Sequence, residues 1–237
     1  MAFSGSADFS YTRDQIIYAA LRKCRAYDAD GGAPEAYQTA NAAEALNRIL
    51  KALQLEGTLL WVIQKIEVPQ TASQASYAIG QSVSADVDTV PPVRVISALL
   101  HNTDTDTDLP LELLSREGWD AVADKLTEGT PSQVYYDQQI PDGILYSWPV
   151  PEDATYEFHL TVETELQDFD ASGTTAYMPS YAYNYFVYAL AADQAMDYGL
   201  DLQSLAYLES KAEALKEKLM DYQTSNVPLR IRPGVEF

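Results

Sequence analysis

The spacing of hydrophobic residues changes twice along this chain, and that limits the possible folds more than any other feature. Up to residue 53 apolar side chains recur every three or four positions, across 155–166 they alternate, and from 205 the wider spacing returns. A period near 3.6 buries one stripe of a helix, and a period of two buries one face of a strand. The pattern therefore predicts helices at both ends with β-structure between them.

The first helix is announced by Thr12-Arg13-Asp14-Gln15, a capping-box pattern flanked by Tyr11 and Ile16 as a hydrophobic staple. Ile17, Ala20, Leu21 and Cys24 continue at helical spacing, which puts Cys24 on the apolar face as a small core residue. A Gly-Gly-Ala-Pro loop follows, then a second helix with the stripe Leu46, Ile49, Leu50, Leu53 and Gly57 as its stop. Strands are expected over 59–68, 74–79, 93–100 and 109–114, with a short helix around 116–125. Residues 133–137 and 144–148 then form a hairpin about Pro141-Asp142-Gly143, where proline presets φ and glycine accepts the turn. In 155–166, Tyr156, Phe158, Leu160 and Val162 face one way and Glu157, His159, Thr161 and Glu163 the other, reading as an antiparallel strand with a solvated face. A tyrosine- and alanine-rich helix covers 181–198. A last helix carries the seam Leu205, Leu208, Ala212, Leu215, Leu219, Tyr222.

The expected fold is α+β: a helical bundle formed by the N- and C-terminal helices (1–57 and 178–222) with an inserted antiparallel β-region (58–177) and an extended C-terminal arm (223–237).

Charge bears on function. Thirty-five acidic against 15 basic residues give −20, and the span 126–210 holds 14 acids and no lysine or arginine. Nucleic-acid binding needs cations against phosphates, so that class is disfavoured. The plain reading of the charge is solubility; the functional reading is a wall that DNA passes without sticking. One cysteine and two histidines cannot build a common structural zinc site or an internal disulfide. A secretory signal and an apolar run long enough to span a membrane are both missing from the pattern, so the expectation is a soluble protein made in reducing cytosol.

Catalytic signals are sparse. The sequence contains no G-x-S-x-G, Walker A or G-x-G-x-x-G pattern. Asp104, Asp106 and Asp108 have the D-x-D-x-D spacing of a calcium loop, but an EF-hand would need glycine at Leu109 and glutamate at Ser115, so an acidic hairpin tip is the better reading. His159 reads as a surface imidazole. Glu163, Glu165, Asp168 and Asp170 cluster at a strand end, and a carboxylate-pair glycan hydrolase stays open as an alternative. No catalytic, cofactor or metal residues are assigned.

Three patterns resemble, in order, the head-to-tail adaptors of short-tailed phages: the tail accessory (head-completion) factor and, more distantly, tail tubular protein A. They are YTRDQIIYAALRKCRAYD with NAAEALNRILKALQLEGTLLW, then LLSREGWDAVADKLTEGTPSQVYYD, then ILYSWPVPEDATYEFHLTVETELQDFD before a Pro-Ser-Tyr helix start. Together they cover roughly residues 11–222. The resemblance implies a virion protein at the head–tail junction, assembled in the host cytoplasm as a ring, commonly twelve-fold. Such a ring binds beneath the portal protein, continues the DNA channel without specific DNA binding and offers a platform to a tail or nozzle protein. It further implies an extended C-terminal segment that docks on the portal, here Val227, Pro228, Leu229, Arg230, Ile231, Arg232 and Phe237. The hairpin residues Tyr135, Tyr136, Tyr146 and Trp148 would then serve either the sheet core or a contact with the next subunit. A more distal tail component is the remaining alternative.

Overall fold

The computed structural model describes residues 9–27, 32–56, 60–170 and 178–223. The chain divides into two compact units, Met1–Leu59 with Asp168–Phe237, and Leu60–Gln167.

The first unit is helical. Helix α1 (Arg13–Lys23) starts at the capping box: Thr12 Oγ1 accepts from Gln15 N–H at 3.3 Å, and Gln15 Oε1 accepts from Thr12 N–H at 2.9 Å. Two otherwise unpaired amides are thereby satisfied. Ile16, Ile17, Ala20, Leu21 and Cys24 are fully buried. The Tyr11 ring packs on Tyr183 at 5.3 Å. Helix α2 (Ala36–Leu55) begins with a capping box that its sequence disguises, because Glu35 rather than Ser or Thr caps it, with Gln38 closing the box. Its buried stripe is Ala42, Ala45, Leu46, Leu50 and Leu53; Ile49 is half-buried, and Gly57 lies outside the described residues. Helix α4 (Tyr183–Ala195) contacts α1, α2 and α5 (Leu202–Gln223). It accordingly buries residues all round, from Tyr183, Tyr185, Phe186 and Val187 to Leu190, Ala191, Gln194 and Ala195.

The second unit is a sheet. Its strands are β1 (Ile63–Pro69), β2 (Ser76–Gly80), β3 (Val87–Asp88), β4 (Pro92–Asn102), β5 (Thr107–Leu113), β6 (Gln133–Asp137), β7 (Gly143–Trp148) and β8 (Tyr156–Thr164). Helix α3 (Arg116–Ala121) lies between β5 and β6. The eight strands run in the order β1-β8-β4-β5-β6-β7-β2-β3. Tyr77 of β2 meets Phe158 of β8 at 5.4 Å although four strands separate them in that order, so the sheet curls into a nearly closed wall around one core. Register shifts of β4 against β8, at Pro92/Arg94 and Val95/Ser97, add the local bend that such curling needs.

This corrects the expected fold. The β-structure is not an antiparallel region inserted in a helical bundle; a nearly closed, mixed eight-stranded sheet dominates, with five helices among the described residues. Two pairs, β5–β6 and β2–β3, are parallel. Parallel pairing depends on where the connection returns the chain, through α3 for β5–β6 and through residues 81–86 for β2–β3, and no local period encodes that. The solvated face expected for β8 is only partly solvated: His159 and Glu163 are 7 and 5 % exposed, while Glu157 and Thr161 are half-buried. Strand β8 lies between β1 and β4, and long neighbours such as Arg94, whose Nε donates to Glu163 Oε2 at 2.6 Å, roof its second face.

Candidate functional site

The hairpin β6–β7 carries an aromatic face assembled from two elements. Tyr135 and Tyr146 are direct cross-strand partners, with rings 6.0 Å apart and 14° from parallel. Ser115 caps α3, its Oγ accepting from Gly118 N–H at 3.1 Å, and the helix sets Trp119 against both tyrosines at 6.0 and 5.3 Å. Two cations border the stack: the Arg116 guanidinium 5.7 Å from the Tyr135 ring, and Lys125 Nζ 5.5 Å from the Trp119 ring. Arg116 is also hydrogen-bonded to Asp137, which accepts from Gln139 at 2.7 Å and from Tyr135 at 3.3 Å. The Gln139 amide, then the Arg116 charge, holds the Asp137 carboxyl below its ordinary pKa.

The four hairpin residues thus divide. Tyr135 and Tyr146 belong to the aromatic stack, and Trp148 lies on the same face, its Nε1–H donating to Asp124 O at 2.8 Å. Tyr136 points the other way, packs on the sheet core and donates to Pro92 O at 2.8 Å. Sequence reasoning placed Trp119 and Arg116 in a helix but did not join them to the hairpin. The contact spans the β5–β6 crossover and leaves no local signal.

Helix α5 is the second feature. Of its 22 residues only Leu208, Ala212 and Leu219 are buried, although it is about 33 Å long. Leu202, Tyr207 and Tyr222 are exposed, as is Tyr181, which meets Tyr222 edge-on at 4.9 Å. A surface hollow of about 370 Å³ opens between Tyr181, Leu215, Leu219 and Tyr222. Another, of about 530 Å³, lies towards the start of α5 against Lys23, Arg25, Tyr188 and Tyr207.

Other sequence candidates disperse. The aspartate tip is the β4–β5 turn, where Asn102 Oδ1 accepts from the amides of Asp104 and Thr105, both at 2.9 Å. Of the three aspartates only Asp108 joins a group of possible metal ligands among the described residues. Glu163 pairs with Arg94, Asp168 with Lys51 at 3.0 Å, and the Asp170 carbonyl accepts from Arg13 at 3.0 Å. Cys24 is buried and its thiol pKa is raised by desolvation, which suits a packing role. The arm residues Val227–Phe237 lie outside the described residues. Among the described residues no helix is long and apolar enough to cross a membrane.

The chain matches no protein-family model and no curated protein sequence.

Proposed function

We propose that this chain is a structural virion protein, a head-to-tail adaptor that assembles as a ring beneath a portal, extends the DNA channel and offers a platform to the tail. One observation carries the reading: among the described residues α5 buries only Leu208, Ala212 and Leu219 along its length, leaving Leu202, Tyr207 and Tyr222 exposed, with hollows at both its ends. Exposed aromatic surface beside polar residues is characteristic of protein interfaces, since these side chains bring large area at low entropic cost. A ring supplies the occupant, because each copy can cover α5 of its neighbour. The net charge of −20 supports the channel role, since an acidic wall repels a polyanion.

The test is negative-stain microscopy of the chain mixed with the portal ring of its virus, run for the wild type and for Tyr207→Glu/Tyr222→Glu. The wild type adds a second coaxial ring, and the variant, with both changes at exposed positions, stays folded and leaves portals bare. Bare portals with the wild type overturn the adaptor reading. An intact second ring with the variant overturns the role of α5.

A further inference from the structure

The two histidines of the chain meet on the outer face of the sheet. His101 of β4 and His159 of β8 stack with ring centroids 4.4 Å apart and planes 13° from parallel. Strand register brings carboxylates to them. Glu67 of β1 is directly opposite His159; Glu157, two positions earlier on β8, is opposite His101; and Asp108 of β5 is opposite His101 on the other side. His101 Nδ1 lies 2.8 Å from Asp108 Oδ1, and its Nε2 lies 3.8 Å from Asp106 Oδ1. His159 Nε2 has Glu157 Oε2 at 3.6 Å and Glu67 Oε1 at 3.9 Å.

Those last two distances exceed hydrogen-bond length, yet the His159 side chain is only 7 % exposed. At those distances neither carboxylate hydrogen-bonds the His159 Nε2, which leaves gaps between nitrogen and oxygens that water or an ion can fill. A tetrahedral ion with bonds of about 2.0–2.1 Å spaces its ligand atoms about 3.3 Å apart, and the ligand atoms of Glu67, Glu157 and His159 lie within 4.8 Å of one another, so a small inward movement brings them to that spacing. The two carboxylates can supply the closing movement, being 61 and 32 % exposed. Lys65, whose Nζ is 3.7 Å from Glu67 Oε1, is itself 55 % exposed and can swing to solvent. The rings lie in nearly parallel planes, so they do not converge on one ion and a single imidazole is the ligand; His159 is that one, because two carboxylates face its Nε2 while His101 Nδ1 is engaged with Asp108.

The geometry points to a divalent transition-metal site formed by Glu67, Glu157 and His159, with His101 stacked on the ligand imidazole and oriented by Asp108. One nitrogen with two oxygens favours zinc, cobalt or manganese over calcium, which takes oxygen alone. The ion would clip the edge strand β1 to β8, so binding is coupled to stability of the sheet.

The experiment follows imidazole ¹⁵N resonances of the full chain during zinc titration, with His101→Phe to assign the two signals. One equivalent of zinc shifts the His159 signal and raises the thermal midpoint. Glu67→Gln/Glu157→Gln, two near-isosteric changes at solvent-accessible side chains, weakens binding at least about tenfold and removes the thermal effect. An unmoved His159 signal at saturating zinc overturns the site, as does equal affinity in the double variant. Calcium shifting the signal as strongly as zinc also overturns the assignment.

Discussion

Tyr136 shows how a single side chain of the hairpin is committed to the interior. Its hydroxyl donates to Pro92 O, and Gly143 leaves the space it occupies: a Cβ there would lie 1.9 Å from the phenol oxygen. Burial, and then the Asp137 charge, pushes the phenol pKa up to about 12. Tyr136→Phe keeps the packing and leaves the Pro92 carbonyl without this donor, a loss of about 1 kcal/mol at neutral pH by urea denaturation. The sign of the pH effect follows from the raised value. An unfolded phenol ionises near pH 10 while the folded one resists, so this contribution is complete below about pH 10 and is lost as pH rises towards 12. Wild type should therefore lose stability over that window faster than Tyr136→Phe, and parallel pH profiles would refute the buried phenol. The sequence marks Tyr136 as aromatic and strand-borne; its commitment to Pro92 depends on a strand more than forty residues earlier and could not be read from it.

Among the elements, α3 is the one whose brevity hides its importance. Six residues cannot hold a helix by themselves, and the Ser115 cap with Trp119 docking on Tyr135 and Tyr146 does so instead. Trp119 is 8 % exposed, so Trp119→Ala should cost about 3 kcal/mol and flatten the near-ultraviolet circular dichroism. A cost below about 1 kcal/mol would mean that the aromatic face is surface kept for a partner. Element starts were the most legible part of the chain. Thr12 and Gln15 form the capping box that their spacing announces, because capping is settled within four residues. Faces were less legible. The alternation in β8 identified Phe158, Leu160 and Val162 as core, but His159 and Glu163 of the second face are buried beside side chains such as His101 and Arg94 of β4, which no reading of β8 alone includes. The same gap hid the His101–His159 pair, since the two rings meet only through register across neighbouring strands.

Over the whole molecule, the change of hydrophobic period located β-structure between helices but could not give the sheet's size or its parallel pairs, which arise from crossovers. The sheet unit has its own core, formed by Ile66, Val68, Tyr77, Ile79, Leu100, Val134, Leu145, Phe158 and Leu160 with their neighbours. Its chain also enters and leaves at one place: Ile63 is paired with Glu163, and Thr164 Oγ1 donates to Val62 O at 3.2 Å. A segment whose ends lie side by side and whose core is internal has what an independent folding unit requires. Residues 60–167 expressed alone should therefore unfold in one cooperative urea transition and retain dispersed amide resonances. A control beginning at residue 76 lacks β1, which leaves β8 as a bare hydrophobic edge, and should aggregate or stay unfolded. If 60–167 itself fails to fold while the full chain does, the sheet depends on the helical unit for its stability. If the control folds as well as the longer segment, β1 is dispensable, and a metal clip between β1 and β8 would have little to stabilise.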